Sequence, residues 1–349
     1  PPRRRGFDVL PLLRGGEGRG EVGDAPMTDE RNMIAETAER LFAAHLGTAT
    51  IEAAEAGAWP AALWDEIIAN GLDRVLVPED QGGIGGHWED AFVILQAAGR
   101  HAAPVPLAET IGAGWLLARA GLAVPEGVLS LCEGATSVPW GAQAVQVLVA
   151  TGEGQFAVHD AGGAEISADR NIGRDPRDGM VFANAPVATG SGNVPAIGAL
   201  VRSCQMAGAI TEVLDLCVTY AGERVQFGRP IGKFQAIQQQ LAILAGEAAA
   251  AELAAQIACR AVDRGGEAFL EIATAKIRTG EAVGKAAAIS HQVFGAIGFT
   301  EEHHLHNLTR RLWSWRAEYG TESIWARRLG RAVAEQGADQ LWPNLTKTN

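Results

Sequence analysis

Three long, alanine-rich amphipathic runs in the last third of the chain constrain the fold more than any other feature. They are "LVRSCQMAGAITEVLDLCVTYAGERV" (200–225), "FQAIQQQLAILAGEAAAAELAAQIACRAVDR" (234–264) and "EAFLEIATAKIRTGEAVGKAAAISHQVFGA" (267–296). Apolar residues recur at spacings of three and four in each, which is the period of a helix with one buried face. Alanine at so many of those positions lets helices approach closely, as in a bundle with short connections. A further pair of helices is expected over roughly 307–336.

The N-terminal part repeats the pattern in shorter pieces. "ERNMIAETAERLFAAHL" (30–46) and "WEDAFVILQAAGRHA" (88–102) read as helices, separated by the turn-rich "LVPEDQGGIGGHWED". The glycines at 82–86 read as a turn rather than a phosphate cradle, because no helix is expected to open directly on them. Between about 125 and 195 the texture becomes β-prone: "AVQVLVATG", "GQFAVHD" and "GMVFANAPVA" are short runs broken by Gly, Asp and Asn. They predict a small antiparallel unit. The expected organisation is a leader (1–26), an N-terminal helical domain (27–124), a short middle β domain (125–195) and a C-terminal helical bundle (196–349).

The leader is rich in Arg, Gly and Pro and is expected to be disordered, with Met27 as a candidate true start. Gly18, Gly20 and Gly23 match GxGxxG there, but without the strand and helix that give the motif its meaning. A net charge of −12 argues against nucleic acid, whose phosphates demand a basic face. The four scattered cysteines suit a reducing cytoplasm, as buried small hydrophobes. No run of about 18 apolar residues is free of charge, so no membrane span is expected.

A simple helical hairpin does not account for "ERVQFGRPIGKFQAIQQQLA" (223–242), which sets Arg224, Gln226 and Phe227 at the break between two long helices. With "VPEDQGGIGG" (77–86) and "HQVFGAIGFTEEHHLHNLTRR" (291–311), this stretch resembles the acyl-CoA dehydrogenase family over about Thr28 to Gln336. The resemblance implies a mainly helical flavoprotein with a small middle β domain and a C-terminal four-helix bundle. It implies FAD as cofactor, an acyl-CoA as substrate, and a homo- or hetero-oligomer with cofactor groups acting across a subunit boundary.

By the same resemblance, Arg224 reaches the FAD pyrophosphate, with Gln226, Phe227, Ile231 and Phe234 beside it. Gln292, Phe294, Gly295 and Gly298 fall in the run that holds the adenosine half of a neighbour's flavin, with Val293 beside them, and Thr321 contacts the cofactor too. A guanidinium forks well onto phosphate oxygens, and an aromatic ring offers adenine a flat partner. Ala296 stands where the family writes a second glycine. A helix C-terminus with a glycine cap is the other reading of that run.

Family chemistry also needs a carboxylate over the substrate. It usually falls in a Tyr-Glu-Gly-Thr stretch, which here reads "RAEYGTES" (316–323). Tyr319 takes the base position and Glu318, the candidate base, lies one residue earlier; otherwise Glu318 is a carboxylate paired with Arg316 or another neighbour. The family's other base position falls at Gly198, with Ala199 beside it, and neither can accept a proton. Two roles stay open: an active homomer using Glu318, or a non-catalytic subunit completing a partner's FAD site. A flavin-free helical scaffold is the third reading. No metal site is expected at His303, His304 and His306, whose spacing has no carboxylate partner. Trp313, Trp315 and Trp325 at helical spacing read as packing.

Overall fold

The structure, a computed structural model, describes residues 29–152, 154–266, 268–300 and 303–346; the expected leader and Met27 lie outside them. Five helices come first: α1 (Asp29–His45), α2 (Thr48–Glu55), α3 (Ala61–Ala69), α4 (Trp88–Arg100) and α5 (Leu107–Arg119). Seven short strands follow: β1 (Leu129–Cys132), β2 (Val138–Pro139), β3 (Gln146–Gly152), β4 (Gln155–Asp160), β5 (Glu165–Ser167), β6 (Arg177–Val181) and β7 (Ala188–Ser191). The long helices are α6 (Val194–Glu223), α7 (Gln235–Asp263) and α8 (Phe269–Phe294), with a hairpin of β8 (Val225–Gln226) and β9 (Arg229–Pro230) between the first two. Then come α9 (Leu305–Ala317), α10 (Glu322–Gln336) and α11 (Ala338–Thr346).

α6 starts earlier than its periodic run because Asn193 caps it, accepting the Ala196 N–H at 3.0 Å, and Pro195 fits the first turn. Its glycines are contact points. A side chain on Gly208 would strike the backbone of Gln96 in α4, and one on Gly99 would strike that of Gln205 in α6. These two positions let α4 and α6 cross with almost no gap, fusing the N-terminal helices to the bundle in one continuous core.

The β region departs from expectation in one respect. Its larger sheet runs β1–β3–β4–β7, and β1 pairs with β3 in parallel, Leu129 opposite Gln146. A parallel return needs a long crossover, and residues 133–145 provide it, carrying β2 out to a second sheet of order β2–β6–β5. The glycines at 82–86 form a turn, as expected, although α4 opens close behind them. The N–H groups of Gly85 and Gly86 are spent on the carbonyls of Val77 and Val75 at 2.8 Å each. The first N–H groups of α4, at Trp88 and Glu89, are taken by the Asp263 carboxylate from α7.

Ion pairs tie distant parts together. The buried carboxylate of Glu55, ending α2, receives Arg310 and Arg311 from α9 at 2.8 and 3.3 Å and Arg174 at 3.1 Å. Arg311, wholly buried, also meets Asp175 at 3.1 Å. All four cysteines are buried and free.

Candidate functional site

The turn between α9 and α10 is the first place to look for acyl chemistry. α9 ends at Ala317, where buried Lys276 of α8 donates to the carbonyls of Trp315 (2.6 Å) and Arg316 (3.1 Å), closing the helix C-terminus. The backbone then turns through Tyr319 at φ 54° and Gly320 at φ 89°. Left-handed backbone is ordinary for glycine and costly for tyrosine. Three contacts hold it: the Tyr319 carbonyl accepts from the Trp325 indole at 2.8 Å, its hydroxyl donates to the Leu131 carbonyl at 2.9 Å, and its ring lies on Gly198. A methyl on Gly198 would overlap the ring carbons. The two positions at which the resemblance leads one to expect the base thus meet, one a tyrosine and the other a bare glycine.

Glu318 points into a network of fixed charges. One carboxylate oxygen accepts from Arg177 of β6 at 2.7 Å and from the Asn171 amide at 2.9 Å, and the other from Arg202 of α6 at 2.7 Å. Arg202 in turn pairs with Glu109 of α5 and donates to Gln205. Burial alone would push the Glu318 carboxyl up; Arg177 and Arg202 more than reverse this and hold it down at about 2. A carboxylate so held is a poor proton acceptor near neutrality. The alternative partner expected for it, Arg316, is engaged elsewhere, with Glu322 at 3.0 Å. Burial pushes the Lys276 amine down to about 7.

The β8–β9 hairpin has the opposite character. Phe227 (φ 52°) and Gly228 (φ 78°) form its two-residue turn, whose signs suit a type I′ hairpin. Phenylalanine is a strained choice there, and its ring is 92% exposed. It meets Phe234 edge-on at 6.1 Å, and the Arg229 guanidinium lies 4.3 Å from the Phe234 ring. Arg224, at the C-cap of α6, and Gln226 are exposed beside it, and among the described residues nothing pairs with the Arg224 side chain. Ile231 anchors the hairpin by packing on the bundle core with Tyr220. An exposed aromatic ring in a costly conformation, next to an uncommitted guanidinium, fits the adenine and pyrophosphate of FAD.

Stacking of Tyr220 on Phe294 (4.3 Å) brings the end of α8 to the same end of the bundle. There Gln292 is exposed and Gly295 leaves the helix at φ 63°, while the Val293 side chain is buried in the core. Thr321 stands apart. It caps α10 next to Glu322, whose side chain lies against Gly280 of α8. From Gly280 to Gly295 the helix rises roughly 22 Å. The histidines are engaged locally: His303 Nδ1 accepts the Leu305 N–H at 3.1 Å, and His306 Nδ1 donates to the His303 carbonyl at 2.8 Å.

Sequence reading missed Asn171, Arg177 and Arg202 as partners of Glu318, and Lys276 as the donor that closes α9. The signal was present in "NIGRDPRDG" (171–179), an unusually charged loop in a β region, but its partners in Glu55, Ser314 and Glu318 lie more than 110 residues away.

Fold and sequence together define a flavoprotein of the acyl-CoA dehydrogenase class, whose cofactor is FAD. The chain belongs to the acyl-CoA dehydrogenase family. Residues 28–123 match the acyl-CoA dehydrogenase N-terminal domain and residues 196–334 the C-terminal domain. It is 30% identical to acyl-CoA dehydrogenase IpdE2 of Mycobacterium tuberculosis over 294 residues, covering 81% of this chain and 91% of that protein. In fold it is similar to the Tcur3481–Tcur3483 steroid ACAD (TM-score 0.79, 24% identity, 88% of this chain and 99% of that one). It is also similar to the ChsE4–ChsE5 complex from Mycobacterium tuberculosis (TM-score 0.76, 22% identity, 89% and 99%).

Proposed function

We propose that this chain is a subunit of a FAD-dependent acyl-CoA dehydrogenase that carries no general base of its own and completes the FAD site of a neighbouring, homologous subunit. The observation that carries this reading is Tyr319 seated on Gly198, with Glu318 beside it locked between Arg177 and Arg202. α,β-Dehydrogenation needs a carboxylate free to take the α-proton of the thioester. Neither family position offers one, and the nearby carboxylates are paired with guanidinia: Glu318 with Arg177 and Arg202, Glu109 with Arg202, and Glu322 with Arg316.

FAD, when bound, supplies the acceptor for the β-hydride. This chain's contribution is to bind and orient it. Arg224 would pair with the pyrophosphate, Gln226 would donate beside it, and Phe227 and Phe234 would offer aromatic faces to the adenine. Gln292 and Gly295 present donors at the same end of the bundle, and Thr321 remains a candidate contact nearer the acyl side. Because the hairpin faces outward, the flavin it serves belongs to an adjoining subunit. The four free thiols agree with a reducing compartment such as the cytoplasm.

The test is the visible spectrum. The chain purified alone should be colourless, and should appear with flavin when co-purified with a homologous acyl-CoA dehydrogenase subunit that carries the carboxylate. Stoichiometric FAD in the isolated chain, bleached by an acyl-CoA in rapid mixing, would overturn the reading in favour of an active homomer.

A further inference from the structure

The four cysteines are not equivalent, and three apolar clusters divide them. Cys132 belongs with Val138, Val147 and Met180 in the β region, and Cys217 with Ile210 and Leu244 in one half of the bundle. Cys204 of α6 and Cys259 of α7 share the main core, both fully buried, with their sulfurs 3.6 Å apart.

A buried cysteine is ordinary as a small hydrophobe, and one alone would ask for nothing more. Two from different helices in sulfur contact do. A covalent bond between them requires the sulfurs to close by about 1.5 Å, which small torsion changes at two side chains supply. Ala207 on α6 and Ala255 and Ala258 on α7 are buried in the same cluster and carry only a methyl group each.

Burial pushes the Cys259 thiol well above its ordinary value, and the adjacent Cys204 adds to the shift. The thiolate that reacts is therefore scarce while the core is closed. Attack by an oxidant waits for local opening, so the first step is slow. The second step is favoured by place. A sulfur oxidised at one position has the other thiol as its immediate neighbour, ahead of any further oxidant.

We infer that Cys204 and Cys259 are an oxidisable pair that closes into a disulfide, stapling α6 to α7. With hydrogen peroxide as the oxidant, one thiolate attacks a peroxide oxygen, the O–O bond breaks, and a sulfenic acid and hydroxide form. The second sulfur, having lost its proton, displaces the hydroxyl of the sulfenic acid as the S–S bond forms. Two thiols and one peroxide thus become one disulfide and two waters, the sulfurs giving up the two electrons that cleave the O–O bond. The staple closes a loop from 204 to 259 that contains the whole β8–β9 hairpin. Nothing in the pair depends on the flavin assignment.

The test treats the full chain, without denaturant, with a small molar excess of hydrogen peroxide. The product is then alkylated in denaturant and weighed intact and as peptides. It should carry two alkylatable thiols instead of four, a peptide pair joined through Cys204 and Cys259, and full reversal by dithiothreitol. Its melting temperature should rise by several degrees over the reduced chain, because the link restrains the unfolded chain more than the folded one. Cys204→Ala and Cys259→Ala should each lose the linked peptides and the melting shift. A chain carrying both Cys132→Ala and Cys217→Ala should keep both. The peptide map of the wild-type chain decides whether or not a variant folds. Four free thiols after oxidation, a link that includes Cys132 or Cys217, a sulfinic acid in place of the link, or a linked chain that melts no higher than the reduced one would overturn the inference.

Discussion

The ring of Tyr319 rests on the bare backbone of Gly198, a residue of α6 more than 120 positions earlier in the chain. The tyrosine hydroxyl reaches past it to the Leu131 carbonyl. Space that could have held a carboxylate is occupied by an aromatic ring, and the glycine is what admits it. Gly198→Ala should therefore cost about 1–3 kcal/mol as an overpacked core site. Urea titration should show that Tyr319→Ala in the same chain recovers part of that cost, so that the pair is not additive. Strict additivity would mean that the ring does not bear on position 198.

Glu318 gives a pH signature. Its carboxyl is held at about 2 in the folded chain, below the 4.5 it has unpaired, so its contribution is fully present above about pH 4.5. It is lost as pH falls from there towards 2, amounting to roughly 3 kcal/mol by linkage. In Glu318→Gln this acid-limb dependence should vanish along with much of the pair's stabilisation, leaving buried Arg177 without its carboxylate and Arg202 with Glu109 alone. Denaturant midpoints from pH 5 down to 2.5, compared between the two proteins, check it.

The same substitution separates enzyme from partner. In a flavin-containing assembly with a carboxylate-bearing homologue, Glu318→Gln should leave acyl-CoA-driven flavin bleaching within a few-fold of wild type, measured on assemblies matched for flavin content. A hundred-fold or greater loss, the size expected when a general base is removed, would return Glu318 to the chemistry.

Lys276 has the opposite pH sense. Burial disfavours its charged form and pushes it down to about 7, against 10.5 unfolded. Between those limits the unfolded chain binds more protons than the folded one, so stability rises with pH across that window. Relative to Lys276→Met, the wild type should gain stability steadily from about pH 7 to pH 10. A difference that is flat over that range would show that the amine stays charged in the core.

Arg224→Ala tests the cofactor role. The side chain has no partner within the described chain, so thermal stability should be unchanged. FAD retention in the flavin-containing assembly should fall by about 2 kcal/mol, roughly thirty-fold in affinity, through loss of a charge-assisted contact to phosphate. Flavin titration of the assembly gives the answer directly.

Much of this organisation was legible in the sequence, for a physical reason. Helical periodicity reports burial on one face, and α6, α7 and α8 each span about seven turns or more, so their existence was secure. The break between α6 and α7 was legible as a candidate site because Phe227 and Arg224 have no local structural purpose where they stand, but the β8–β9 pairing within it was not. What could not be read were relationships over long separations. The parallel pairing of β1 with β3 leaves the same alternation as an antiparallel one. The ties from Glu318 to Asn171, Arg177 and Arg202 span 147, 141 and 116 residues. A charged loop at 171–177 announces that it has partners, but not which ones. The short α11 (Ala338–Thr346), with Pro343 inside it, gave no periodic signal strong enough to expect.

Glu55 bears on how the chain can come undone. One carboxylate at the end of α2 neutralises guanidinia from the 170s loop and from α9, the latter 255 and 256 residues along the chain. Take that carboxylate away, by loss of the first two helices, and Arg174, Arg310 and Arg311 lose the charge they share, with Asp175 still paired to Arg311. The pocket would then push itself apart. A clipped chain would fail at its far end, and proteolytic products that lack the first helices would be marked for unfolding by the repulsion they uncover.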